Sequence, residues 1–323
     1  MVTIKDVAKQ AGVSVATVSR FLNGSGYVGE QAKKAIEEAV QQLNYAPNQI
    51  ARSLSTKQAK TIGLIVPDIM NPFFPELARA IEDTALQQGY TVMLCNSDED
   101  AQKEQHYIQT LQQTYIAGFI IATNGLHTNT YENLKVPTVL IDRFTEGDIP
   151  SVASQNEQGA RLAAEYLLAK GAEHIGFISG PRELEPVQKR LQGFKEGLGD
   201  VQLAAFAESN FHFKEAEQVA IQMLQSNPHI DSVFASSDIL AIGVLKAASA
   251  LGLKVPEDLQ VVGFDGISLG EMLTPTLTTI AQDIYALGEK ATQMLIQQIH
   301  GEQLEAIHVN IAPKLVVRNS TKE

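Results

Sequence analysis

From Thr61 onward, short apolar runs alternate with helical patterns, and that alternation leaves few folds open. The runs are "TIGLIVPD", "TVMLCNS", "AGFIIAT", "TVLID", "HIGFISG", "DSVFASSD" and "LQVVGFDG", and between them lie stretches such as "ELARAIEDTALQQG", "QGARLAAEYLLAKG" and "KRLQGFKEGLG". Runs of Ile and Val without polar alternation belong to strands covered on both faces, and helical crossovers between them make the sheets parallel. Residues 61–323 exceed one doubly wound domain. The pattern therefore predicts an α/β body of two doubly wound parallel-sheet lobes with a cleft between them. The polar stretch "FTEGDIPSVASQNEQ" (144–158) is a candidate first crossing between the lobes.

The chain is 44% hydrophobic and 19% charged, the balance of a soluble, well-packed protein. No stretch approaches the ~18 apolar residues of a membrane span. The opening "MVTIKDVAKQAGV" lacks the basic-then-apolar layout of a signal peptide. The single cysteine, Cys95, has no internal disulfide partner and sits in "TVMLC", where a buried structural thiol is expected. A cytoplasmic protein is the expectation. The net charge of −12 is not spread evenly: residues 1–60 carry eight basic and four acidic residues, a net +4, which leaves −16 for the remainder. A basic head on an acidic body is the asymmetry of a chain that brings one segment to phosphates.

That head reads as an all-α helix-turn-helix domain (1–47). In "TIKDVAKQAGVSVATVSRFLNG", Thr3 caps a first helix with Asp6 three residues on, and Ile4, Val7, Ala8 and Ala11 recur at helical spacing. Gly12 ends it, Ser14 caps a second helix, and Asn23-Gly24 ends that one. A third helix follows in "EQAKKAIEEAVQQL". Spacing alone also permits a small three-helix bundle with no ligand. Residues 48–60 contain "NQIARSLSTKQ", about two helical turns and too short to be stable alone. Read bare, this is a linker with an incidental Leu54.

Ligands of doubly wound sheets bind beyond the carboxyl ends of the strands. Asn71, Phe73, Phe74, Asp142, Arg143, Asn156, Arg182, Arg190, Asn210, Phe211, Ser237, Asp238, Asp265 and Gln282 fall there. Rings, carboxylates, arginines and amides in one cleft suit a sugar, because rings stack on C–H faces while forked polar groups bridge adjacent hydroxyls. Each has an ordinary alternative: Asp142 or Asp238 as a helix cap, Arg182 as a surface residue, one of Phe73 and Phe74 as core.

"TIKDVAKQAGVSVATVSRFLN" and "LNYAPNQIARSL" closely resemble the head of the LacI family of bacterial transcription repressors through residues 2–57. Residues 61–320 resemble the periplasmic-binding-protein-like core of the same family. "NPFF", "IDR", "RLQGF", "VVGFDG" and "TIAQ" are similar to the cleft motifs of ribose-binding proteins and ribose repressors. The resemblance implies that the helix after Ser14 lies in the major groove of double-stranded operator DNA. Val15, Ala16 and Arg20 would then face base edges, Arg20 reading guanine, while Thr17, Ser19 and Asn23 serve phosphates or packing. Thr3, Ser14 and Tyr27 complete the head's contacts. Asn48, Ala51, Arg52, Leu54 and Ser55 would form a hinge helix that folds on DNA, with Leu54 wedging the minor groove. It further implies a homodimer and a small sugar effector, ribose. Asn71, Asp142, Arg143, Asn156, Arg190, Asp265 and Gln282 would bond the hydroxyls, and Phe73, Phe74 and Phe211 would sandwich the ring. Ser237 departs from the pattern, since ribose binders carry an asparagine there.

There is no GxxxxGK[ST] loop, no strand-adjacent GxGxxG and no HExxH among the seven histidines, so neither a cofactor nor a metal is expected. A nucleotide-binding enzyme and a transport binding protein are the rival classes. Another sugar, a purine or a protein co-repressor are the rival effectors. Leu54→Ala is predicted to weaken operator binding in a mobility-shift titration while leaving sugar affinity intact.

Overall fold

The structure, a computed structural model, describes residues 2–24, 26–45, 59–123, 126, 128–142 and 148–323. The chain divides into two compact units, Met1–Ala59 and Lys60–Glu323.

The first unit holds α1 (Ile4–Gln10), α2 (Val15–Asn23) and α3 (Glu30–Gln42). The Asp6 carboxylate accepts from the backbone N–H and the hydroxyl of Thr3, at 2.8 and 2.7 Å, which ties down the start of α1. Gly12, at φ 65°, makes the turn, and Ser14 caps α2 by accepting from the Thr17 N–H at 3.1 Å. Val7, Ala8, Val18, Val28, Ile36 and Ala39 form the buried core.

The second unit contains β1 (Thr61–Val66), α4 (Phe73–Gln87), β2 (Thr91–Asn96), α5 (Ala101–Gln113), β3 (Gly118–Ile121), α6 (Thr128–Glu132), β4 (Thr138–Ile141) and β5 (Ser151–Ser154). It continues through α7 (Asn156–Ala169), β6 (Ile175–Ser179), α8 (Glu185–Leu198), β7 (Ala205–Glu208), α9 (Phe213–Ser226), β8 (Ser232–Ala235) and α10 (Asp238–Leu251). The last elements are β9 (Gln260–Asp265), a 3-10 turn (Ser268–Glu271), β10 (Thr278–Ala281), α11 (Ile284–Ile299), β11 (His308–Ile311) and β12 (Lys314–Val316). Two six-stranded sheets result, ordered β11-β5-β4-β3-β1-β2 and β12-β10-β9-β8-β6-β7. The order reverses at β1/β3 and at β6/β8, the two places where a doubly wound sheet opens a crevice at its carboxyl edge.

Among the described residues, the chain passes between lobes three times: at Gln155, at 282–283 and at 312–313. The first lies within the polar stretch singled out from the sequence. Each crossing follows the carboxyl end of a strand, so each next element starts at the cleft and runs away from it. This explains the one antiparallel pairing among the described strands. β12 enters the second sheet from its cleft end and pairs with β10 antiparallel. The edge strand β2 departs in another way: Cys95 is buried, but Met93 and Leu94, which point to opposite faces of the sheet, are each 46% exposed at its open edge.

The core of the first lobe is not confined to it. Phe73, Leu77 and Ile81 of α4 pack with Leu287, Ala291 and Leu295 of α11, and also with Ile239, Ile242 and Ile267 of the second lobe. Among the described residues, no helix is long and apolar enough to cross a membrane. Helices α7 and α8 meet at Gly193, where an added Cβ would lie 2.0 Å from the Glu157 carbonyl oxygen. Backbone cannot yield as a side chain can, so Gly193→Ala should cost about 2–3 kcal/mol. A lowered urea midpoint with unchanged far-ultraviolet dichroism is the expected result.

Candidate functional site

The carboxyl ends of both sheets open onto a cavity of about 480 Å³. Its first wall is Asn71, Phe73 and Phe74. The two rings stand between Pro72 and Pro75. In the structure they are the first two residues of α4, with Pro72 as N-cap. Pro75 is tolerated one residue later because the first N–H groups of a helix have no intrahelical acceptor. The rings meet edge to face, centroids 5.2 Å apart and planes at 85°. Phe73 is both core and cavity lining, whereas Phe74 is half-buried and more open to the cavity. Opposite, Phe211 lies against Gly180, where an added Cβ would come within 2.3 Å of the ring.

The floor is a charged network built from both lobes. Arg190, on α8, donates through Nε to Asn156 Oδ1 at 2.7 Å. Its Nη1 donates to the Ser236 carbonyl at 2.7 Å and to Asp265 Oδ1 at 3.1 Å. Its guanidinium carbon lies 3.8 Å from the centroid of the Phe264 ring. Asp265 Oδ1 also accepts from Gln282 Nε2 at 2.8 Å. Asp142, at the end of β4, accepts from the Ser154 N–H at 3.2 Å and from Asn156 Nδ2 at 3.4 Å. Both aspartates hold positive φ, 53° at Asp142 and 119° at Asp265, a backbone cost that concentrates at functional sites.

Burial raises both carboxyls, and the Arg190 charge opposes it. Asp265 is pushed up to about 6. Gln282 is 5% exposed, and its Oε1 is the one buried side-chain atom among the described residues without a hydrogen-bond partner. An unmet buried acceptor costs about 1–3 kcal/mol. A ligand hydroxyl donating to it would remove that cost.

Of the cleft residues expected from sequence, Asn71, Phe73, Phe74, Asp142, Arg190, Phe211, Ser237, Asp265 and Gln282 line the cavity. Asn156 does not line it; it stands behind Arg190 and Asp142 and joins them. The Ser237 hydroxyl caps α10, accepting from the Leu240 N–H at 3.3 Å. Asp238 turns away from the cavity and accepts from the N–H groups of Gly266 and Ile267, at 2.8 and 2.9 Å, and from the Thr279 hydroxyl at 2.6 Å. Arg182 is a surface residue paired with Glu208 at 2.6 Å, and Asn210 bonds Glu215. Arg143 lies outside the described residues. Sequence reasoning missed Asp98, Glu99, Thr123, Glu183 and His212, which also line the cavity. The signal was present in "CNSDED", a polar turn after a strand that the same strand-end rule covers. Burial raises the Glu99 carboxyl and the nearby His212 lowers it, while Asp68 and Glu183 push it further up.

In the head, Val15, Ala16 and Arg20 are exposed on α2, Ala16 and Arg20 on the side away from the buried Val18. Thr17 and Ser19 are half-buried, and the Thr17 hydroxyl meets that of Ser14 at 2.8 Å. Tyr27 is 92% exposed, and Asn23 closes α2. Asn48, Ala51, Arg52, Leu54 and Ser55 lie outside the described residues.

A helix-turn-helix head and a two-lobed body with a polar, aromatic-walled cavity define a ligand-responsive DNA-binding regulator. Residues 3–48 match the model of the bacterial regulatory proteins of the lacI family, and residues 164–321 match the periplasmic binding protein-like domain. The ribose operon repressor of Halalkalibacterium halodurans is 51% identical over 323 residues, covering 100% of this chain and 98% of that one. The lac repressor dimer bound to operator and the anti-inducer ONPF superposes with a TM-score of 0.91 at 29% identity, over 99% of each chain. A lacI-family regulator from Enterococcus faecium with bound ribose has a TM-score of 0.73 at 33% identity, over 81% of this chain and 98% of that one. The chain belongs to the lacI family of bacterial regulatory proteins.

The raised Asp265 carboxyl has a stability consequence. A folded-state pKa above the unfolded one gives stability that is full below about pH 4 and is lost as pH rises through about 6. Asp265→Asn should therefore flatten the fall in unfolding free energy between pH 5 and 7, read from urea melts.

Proposed function

We propose that this chain is a sequence-specific DNA-binding transcription repressor whose hold on its operator is released by D-ribose bound in the cavity. The observation that carries the effector class is the unpartnered Gln282 Oε1, buried beside Asp265, Asp142 and Arg190. Carboxylate and amide oxygens accept from hydroxyls, Arg190 donates to a ring or hydroxyl oxygen, and Phe73, Phe74 and Phe211 cover C–H faces. This donor and acceptor set suits a small neutral polyol. The ribose operon repressor relatives and the ribose-bound neighbour make ribose the first choice.

Operator reading falls to α2, with Arg20 toward guanine and Val15 and Ala16 toward thymine methyls. Residues 48–60 act as the hinge between the reading head (1–47) and the body (61–323). Two chains pair through their bodies, so two heads read a near-palindromic site. The effector touches residues of both lobes and so favours one lobe angle. The spacing of the two chain segments that end at Lys60 changes with it, and the hinge helices lose their pairing on DNA. A coupling of ~1–3 kcal/mol between the sites is sufficient. The chain binds rather than transforms its ligand, and works in the cytoplasm where the operator is.

Thermal-shift screening of pentoses, hexoses, disaccharides and purines tests the effector. Ribose at a hundred times its Kd should add about 2.7 kcal/mol of stability, a melting shift of about 5–10 °C, with the other classes inert. A purine or disaccharide shift with none for ribose would overturn the assignment. Tighter operator binding with ribose would make it a co-repressor instead.

Binding should also depend on pH. Hydroxyl donors require ionised Asp265, so a carboxyl that titrates near 6 when empty weakens ribose affinity about tenfold from pH 7.5 to pH 5. Calorimetry in two buffers should show proton release on binding. Asp265→Ala should lower affinity by about two orders of magnitude or more.

A further inference from the structure

The two effector walls are joined by a second contact that lies outside the cavity's binding set. Asp265 ends β9, and the next three residues are Gly266, Ile267 and Ser268. Both the N–H and the hydroxyl of Ser268, in the second lobe, donate to Glu76 Oε1 in the first, at 2.9 and 2.7 Å. Glu76 sits in the first turn of α4, two residues past Phe74. One helical turn therefore carries both an effector wall and a cross-lobe acceptor, and one four-residue segment carries both an effector reader and the matching donors.

The segment is held stiffly enough to transmit movement. The buried Asp238 carboxylate grips the Gly266 and Ile267 N–H groups and, through its other oxygen, the Thr279 hydroxyl on β10. At Gly266 the chain passes so close to β10 that an added Cβ would lie 2.5 Å from the Ala281 Cβ. The Ile267 side chain is fully buried in the core that α4 shares with the second lobe. Asp265 thus has little freedom to move without moving Ser268.

We propose that Glu76 is a positioning residue that, through Ser268, makes the lobe angle respond to what occupies the cavity. Effector contact at Asp265 and at Phe73–Phe74 pulls on the two ends of this cross-lobe bond together, so lobe rotation and ligand occupancy become one transition. Without the bond, the ligand binds but the lobes respond less. This rests on the reading of Asp265, Phe73 and Phe74 as ribose contacts.

The test uses the full-length chain: Kd for ribose by calorimetry, and operator Kd by fluorescence anisotropy with and without ribose. Glu76→Ala and Ser268→Ala should each keep ribose affinity within about threefold of wild type. Glu76→Ala should also shrink the ribose-induced change in operator Kd by about three- to tenfold, and Ser268→Ala, which keeps the backbone N–H donor, by a smaller factor. The double variant should be no worse than Glu76→Ala alone, and Glu76→Gln, which keeps the acceptor, should recover much of the response. A wild-type chain that responds to ribose, with both single variants responding equally, overturns the role of Glu76. Additive losses in the double variant overturn the pairing. A wild-type chain that neither binds nor responds to ribose overturns the effector reading, and the role of Glu76 with it.

Discussion

Everything in the cavity depends on one buried guanidinium. Arg190 is 5% exposed, carried by the second lobe, and is the cation that makes two buried carboxylates tolerable. Without it, Asp142 and Asp265 would face each other across a low-dielectric space, and at least one would hold its proton near neutrality. With it, the floor offers acceptors at neutral pH, and Asn156 locks the geometry by bonding both Arg190 and Asp142. Breaking such a network by removing one member is far costlier than never having built it. The arrangement is therefore one of specificity rather than of stability.

The topology explains how so many groups from distant parts of the chain converge. Every crossing between lobes is made at the carboxyl edge of the sheets, so Asn156 follows one crossing and Gln282 lies in another. One cavity-lining residue, Gln282, thus also lies in a segment that connects the lobes. A ligand bridging the walls would touch a connecting segment directly, and the core shared by α4, α11 and Ile267 lies next to it.

Much of this was legible in the sequence. Strand runs such as "TIGLIV" and "QVVGFD" announce their buried strands because they lack polar alternation, and polar residues at their ends mark the cleft. What could not be read was direction. Asp238 and Asp265 both follow or end a strand, yet one side chain faces the cavity and the other grips backbone 28 residues away in sequence, at Gly266. Asn156 was expected in the ligand set, and in the structure it bonds Arg190 and Asp142 behind the cavity lining. Arg182 looked equivalent to Arg190, but the first follows β6 at the surface and the second is on α8, facing inward. Side-chain direction comes from tertiary packing, which no spacing rule encodes. The helical start at Phe73 was hidden for a different reason: two prolines flank the rings, and proline is as compatible with a first helical turn as with a loop.

A neutral sugar would complete this network through Gln282 Oε1, the one buried side-chain acceptor left unmet among the described residues. A crystal structure of the full-length chain or its body grown with ribose tests it most directly. The expected result is a single ribose between Phe74 and Phe211, one hydroxyl within hydrogen-bond distance of Gln282 Oε1, and others on Asp142, Arg190 and Asp265. Ribose bound elsewhere, or bound in the cavity with Gln282 Oε1 still unpartnered, would contradict it.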